Sequence, residues 1–190
     1  MRKVFIDCGF YRGKAIKIFK KTKEYDKEFE IIAFEASDLK KEKIENLKAV
    51  GIQLINKAVW IYDGKIDFFS SSRRRGQANS IYPNPVKPKS EVKREIESVD
   101  FSKWIMKNFS REDFIVLKLD VEGAEYKILN KMIEDGSIDY IDILYSEYHY
   151  ERAKSEATIE EFSNLRKKIN EYDLEVRTAI EWYYAKTKNG

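Results

Sequence analysis

Four short stretches of the sequence bring together residue types that could hold a ligand or move a proton. The first is Asp7-Cys8-Gly9-Phe10-Tyr11-Arg12-Gly13, where an apolar run ends on a glycine. Gly9 lets the backbone turn tightly and approach a ligand, and Gly13 lets a following helix pack close to the strand. The spacing is not G-x-G-x-x-G, because Tyr11 stands where the phosphate fingerprint needs glycine. No Gly-Lys-Ser/Thr follows either, which disfavours a nucleoside triphosphate. A plain tight turn would account for the glycine pair as well as a ligand loop does. The second stretch is Glu35-Ala36, at the end of an apolar run over 29–34. An acid at a strand tip can accept hydrogen bonds from two ribose hydroxyls, or it can simply cap a helix. The third, Asn56-Lys57-Ala58-Val59, offers a small residue and backbone amides that could flank an adenine ring, or an ordinary strand end.

The fourth stretch, Leu117-Lys118-Leu119-Asp120-Val121-Glu122-Gly123-Ala124-Glu125, carries the most information. Three acids and a lysine crowd one strand-to-helix turn, which solvation alone does not require. Lys118 and Asp120 alternate along a strand and so share a face, where an ion pair would hold the carboxylate in place. Asp120 is the first candidate for a general base, with Glu122 and Lys118 beside it. His149, the only histidine, lies in Ser146-Glu147-Tyr148-His149-Tyr150 with an ordinary pKa near 6.5 that suits the same task; a plain loop residue is the competing reading. Glu122 and Glu147 could orient hydroxyl groups or, with Asp120, hold a divalent ion. The metal is disfavoured, since Lys118 can neutralise the same carboxylates. Further along, Arg73-Arg74-Arg75 with Gln77, Asn79 and Tyr82 forms a basic loop in which guanidinium groups could recognise phosphate or carboxylate, and Tyr148 with Tyr145 and Tyr150 could line an acceptor cleft. A solvated loop and core tyrosines are the alternatives.

These residues need elements to position them. Apolar runs at 3–8, 29–34 and 52–59 alternate with segments of helical spacing at 13–20 and 39–50. Strand, helix, strand, helix, strand points to right-handed crossovers and a largely parallel sheet with helices on both faces. Asp63-Gly64 between apolar runs predicts a β-hairpin after the third strand. Residues from about 70 to 90 hold five serines, three arginines and all three prolines, and are expected to form a substrate loop. A short helix over 101–109, a buried strand over 114–119, a helix closed by Gly136, a strand over 138–148, a helix over 159–172 and a last strand or strand pair over 175–185 complete the order. Trp60, Trp104 and Trp182 show no useful spacing and read as packing residues.

The bulk numbers exclude several classes. At 190 residues with 43% hydrophobic and 14% aromatic content, the chain can build one core without staples, so the 36% charged fraction reads as surface. We expect one domain over 1–190. A net charge of +3 does not support a nucleic-acid-coating protein, and any anionic partner must be met by a local patch. One cysteine, Cys8, permits no internal disulfide and fits a reducing compartment. No apolar run approaches the roughly 20 residues of a membrane span, and no signal peptide is evident, so a cytoplasmic location is expected.

Taken together, Val4 to Gly9, Ala33-Phe34-Glu35, Asn56 to Val59, Asp63-Gly64 and above all Asp120-Val121-Glu122-Gly123-Ala124-Glu125 resemble the FkbM family of S-adenosylmethionine-dependent methyltransferases, over roughly residues 4 to 149. The resemblance implies an α/β class I methyltransferase (Rossmann-like) fold, with a seven-stranded, mostly parallel sheet whose last strand is antiparallel. It implies transfer of a methyl group to a hydroxyl of a small acceptor, commonly a sugar or glycan, with S-adenosylhomocysteine as product. Carried over by position, the cofactor would meet Asp7, Gly9, Gly13, Glu35, Asn56, Ala58 and Asp120, with their neighbours Cys8, Phe10, Ala36 and Val59 beside it; the acceptor is expected at Arg73, Arg74, Arg75, Asn79 and Tyr148, from the residue types named above. The family usually has Gly-Ala-Asn where this chain has Phe10-Tyr11-Arg12. Many members also have an N-terminal cover that is not seen here, which leaves a second subunit as one way to close the pocket. An RNA acceptor read by the arginine loop, and a non-catalytic cofactor-binding module, are the alternative functions.

Overall fold

The computed structural model describes residues 1–70, 79–83, 91–150 and 157–178. In chain order they form β1 (Lys3–Cys8), α1 (Lys14–Phe19), β2 (Glu30–Phe34), α2 (Lys41–Ala49), β3 (Ile52–Ile55), β4 (Ala58–Trp60), β5 (Gly64–Ser70), β6 (Val92–Asp100), α3 (Phe101–Asn108), β7 (Phe114–Leu119), α4 (Glu125–Glu134), a 3-10 turn (Ser137–Tyr140), β8 (Ile143–Ser146), α5 (Ile159–Ile169) and β9 (Glu175–Thr178). The expected α/β architecture is present. Six strands form one sheet in the order β3-β2-β1-β7-β8-β9, and every neighbouring pair in it runs parallel. Chain direction across the sheet reverses between β1 and β7, so the crevice for a ligand lies outside their carboxyl ends.

Alternation along the strands divides the core into two apolar layers. Val4, Ile6 and Cys8 of β1 join Phe34, Leu117, Leu119 and buried residues of α3, α4 and α5. Phe5 faces the other way, onto Ala15, Ile16, Ile18 and Phe19 of α1, with the Phe5 and Phe19 rings stacked at 4.1 Å. The strict period of two puts Asp7 on the Phe5 side, where β1 and β7 pair it directly with Lys118. No helix among the described residues is long and apolar enough to cross a membrane.

Four expectations are corrected. The apolar runs flanking Asp63-Gly64 do not pair with each other: β4 and β5 both pair with β6, in a second sheet of order β4-β6-β5. The central strand of that sheet has a charge-rich sequence, Val92-Lys93-Arg94-Glu95-Ile96-Glu97, and is buried only at Ser98 and Asp100, so it carries no apolar signal. The third strand ends at Ile55, because Ala58–Trp60 leaves for the small sheet. The strand expected over 138–148 spans only Ile143–Ser146, after the 3-10 turn. At the far edge, β9 runs parallel to β8, not antiparallel; the remainder of the expected last strand, from 179 on, lies outside the described residues.

Candidate functional site

A cleft of about 480 Å³ opens over the carboxyl ends of β1, β2, β7 and β8, within the usual size for a small-ligand site. Its first wall is the loop after β1. Gly9 has φ +89°, and a Cβ there would lie 2.0 Å from the Asp120 carbonyl oxygen, so only glycine lets the two strand ends come this close. The amides of Gly9 and Phe10 both donate to the Phe34 carbonyl, at 3.1 and 3.0 Å. Tyr11 adopts φ 48°, uncommon for a residue with a side chain, and its amide donates to Glu35 Oε2 at 2.6 Å. Gly13 leaves room for the buried Phe10 ring, which a Cβ would meet at 2.9 Å. The unusual Phe10-Tyr11-Arg12 segment is thus a closed turn seated on the second strand.

Glu35 is 8% exposed. Its other oxygen accepts the Ser37 amide at 2.8 Å, so each carboxylate oxygen holds one backbone N–H and keeps a lone pair for the cleft. Asn56 does not reach the cavity wall; its Nδ2 donates to the carbonyls of Glu35 at 2.6 Å and Ser37 at 2.8 Å and fixes the shape of this segment. Asn79 lines the cleft and donates to Ser37 Oγ at 3.2 Å. Next to it, Ser80 Oγ donates to the Glu122 carbonyl at 2.6 Å. Ala36, Ala58, Val59, Phe68 and Ile81 supply the apolar surface between.

The opposite end is acidic. Lys118 Nζ lies 3.3 Å from Asp7 Oδ1 and 3.1 Å from Asp120 Oδ2, and it donates to the carbonyls of Cys8 at 3.3 Å and Gly9 at 3.1 Å. Burial pushes the Asp7 carboxyl up to about 6 against the pull of Lys118. For Lys118, burial works against the charge, yet the fields of Asp7 and Asp120 raise the ammonium well above the ordinary lysine value. Glu125 is completely buried and accepts from Val121 N at 2.9 Å, Gly123 N at 2.8 Å and His149 Nδ1 at 3.0 Å. One side chain therefore fixes both the acid-bearing turn and the imidazole. His149 Nε2 then faces Glu147 Oε1 at 3.7 Å, Asp120 Oδ1 at 3.9 Å and Glu122 Oε2 at 3.9 Å. Burial disfavours the imidazolium, but the hydrogen bond to Glu125 and the charges of Glu125, Glu122 and Asp120 outweigh it and lift His149 to about 9. It is a cation at neutral pH.

Of the residues singled out from sequence, Gly9, Phe10, Glu35, Ala36, Ala58, Val59, Asn79, Lys118, Asp120, Glu122 and His149 line this one cleft. Asp7, Cys8, Gly13 and Asn56 lie behind its wall. The Cys8 side chain points into the core, and burial pushes its thiol up, so the sulfur is neither contact nor nucleophile. Tyr148 is likewise outside the wall, under the Arg166 guanidinium and edge-on to Phe162. Arg73, Arg74, Arg75 and Gln77 lie outside the described residues. Sequence reasoning gave no role to Glu125 or Ser80. For Glu125 a signal existed, since an acid in the first turn of a helix meets amides without partners.

The family model described as methyltransferase FkbM domain matches residues 7–176 of the 190. No curated protein and no solved structure gives a significant match.

Proposed function

The chain belongs to the FkbM methyltransferase family, and on that premise we propose that its cleft binds S-adenosylmethionine and passes the methyl group to a hydroxyl oxygen of a small acceptor of the sugar or glycan class. S-adenosylhomocysteine is the product. The observation that carries this reading is the joining of Glu35 and Asp120 in one cavity, with Gly9 between them in the chain's first turn. The residues fit the cofactor. Glu35 keeps one lone pair on each oxygen for a pair of vicinal ribose hydroxyls, small apolar residues at Ala36, Ala58 and Val59 suit a flat base, and the acidic end suits a cationic sulfonium.

When bound, the cofactor supplies an electrophilic methyl group. The chain supplies position and charge. Holding acceptor oxygen, methyl carbon and sulfur in line is the main source of rate in such a displacement. Asp120 would accept the proton of the acceptor hydroxyl. Lys118 fixes one of its oxygens at 3.1 Å and leaves the other toward the cleft. His149 is not the base at neutral pH, because it already carries a proton there; it orients the carboxylates and the acceptor. The single cysteine is buried and reduced, and we assign the protein to the cytoplasm.

Asp120→Asn tests the assignment. The variant should bind S-adenosylhomocysteine as the wild type does and lose turnover by roughly 10²-fold or more. Full activity would remove Asp120 from the mechanism.

A further inference from the structure

We propose that Asp120, Glu122 and His149, with Glu147 at the rim, form a binding site for a divalent cation of the Mg²⁺/Mn²⁺ class. One ligand atom from each of Asp120, Glu122 and His149 can be chosen so that all lie within 4.8 Å of one another. The imidazole makes this more than a cluster of acids. Its Nε2 stands 3.7 to 3.9 Å from three separate carboxylate oxygens, too far to hydrogen-bond to any of them. At metal–oxygen bonds near 2.1 Å, an octahedral ion separates neighbouring ligand atoms by about 3.0 Å and opposite ones by about 4.2 Å. The Nε2–carboxylate distances of 3.7 to 3.9 Å fall between those limits. The exposed carboxylates, Glu147 most of all at 45%, can rotate to close the shell.

A second observation comes from outside the ligand set. Buried Glu125 accepts the Nδ1–H of His149 at 3.0 Å and is itself held by two backbone amides. A carboxylate that holds Nδ1–H and aims Nε2 outward is the usual support of a metal-bound histidine, and the ion takes the place of the Nε2 proton that the imidazolium carries without it. Lys118, the cation that would otherwise neutralise the cluster, is engaged by Asp7, one oxygen of Asp120 and two carbonyls. Oxygen-rich donors with one imidazole and room for water suit Mn²⁺ and Mg²⁺ better than a thiol-seeking metal. The ion's binding is independent of the methyl-transfer reading. Its role does rest on it: beside Asp120 it would coordinate the acceptor hydroxyl, fix its direction and ease loss of its proton.

The lone histidine makes the test specific. Its ring carbons give one set of ¹H–¹³C signals, and paramagnetic Mn²⁺ titrated into the wild-type protein should broaden them, with loss of free Mn²⁺ signal in electron paramagnetic resonance giving one ion per chain. Glu122→Gln and the Glu122→Gln/Glu147→Gln pair should weaken Mn²⁺ at least roughly tenfold, and circular dichroism should show both folded. Mg²⁺ should compete with Mn²⁺. Histidine signals unchanged by millimolar Mn²⁺, or equal affinity in the double variant, would overturn the site. S-adenosylhomocysteine titrated without metal separates the two claims: cofactor binding with no histidine broadening rejects the ion alone, and broadening with no cofactor binding rejects the methyltransferase reading alone.

Discussion

At the scale of single residues, the floor of the cleft depends on Lys118. Its ammonium is the cation that faces Asp7, a carboxylate with no exposed surface, at 3.3 Å. Replacing it by Met keeps the volume but leaves a buried charge without compensation, which costs about 3–5 kcal/mol. We expect Lys118→Met to lower the unfolding free energy measured in urea by that amount, and to lose much less when Asp7→Asn is added; an equal loss in the double variant would show that packing, not charge, is at stake. His149 sets a pH dependence. Its value in the folded protein, about 9, lies above the ordinary 6.5, so its contribution to stability is complete below pH 6.5 and fades as pH rises through 9. Thermal midpoints measured from pH 6.5 to 9.5 should fall more steeply for the wild type than for His149→Gln, and parallel curves would refute the shift. Some of this was legible. Alternation along a strand was enough to pair Lys118 with Asp120. Asp7 with Lys118 needed the register between two strands 111 residues apart, and Glu125 with His149 needed two elements to meet, so neither pairing has a local signature.

Elements were legible where the core dictated them. β7, Phe114–Leu119, is a continuous buried run and was read at its true bounds; α1 and α3 follow from apolar residues at helical spacing, opened by Gly13 and Asp100. What failed was β6, whose side chains face solvent along most of its length and whose place is set by ladder hydrogen bonds to β5, a pairing between segments more than twenty residues apart in the chain. The start of α2 has no side-chain cap: Ser37 serves Glu35 and Asp38 pairs with Arg94, and the helix begins at Lys41. Where β6 ends, Asp100 joins the small sheet to the main core. It caps α3 by accepting Lys103 N at 3.2 Å, its own amide donates to Asp63 at 3.1 Å, and Lys103 Nζ lies 3.1 Å from its carboxylate. Asp100→Ala should cost about 1–2 kcal/mol in chemical denaturation; a change below about 0.3 kcal/mol would mean the cap is dispensable.

For the molecule as a whole, the parallel sheet determines where chemistry can occur. With β2 on one side of β1 and β7 on the other, the turns carrying Gly9, Glu35 and Asp120 open onto the same crevice, although their positions in the chain are far apart. That convergence was legible from the order of strands and helices. The division of labour inside the crevice was not, because Asn56 and Ser80 act by holding backbone and Asn79 by holding the Ser37 hydroxyl, and such contacts follow from the folded loops. The central claim is that the Glu35 end holds the cofactor's ribose while the Asp120 end holds the reacting centre. Calorimetric titration of S-adenosylhomocysteine into the wild type and Glu35→Ala tests it most directly. The account predicts one site per wild-type chain and an affinity at least roughly tenfold lower in the variant, from the loss of charge-assisted hydrogen bonds, with circular dichroism unchanged. No binding by the wild type, or equal affinity in both proteins, would contradict it.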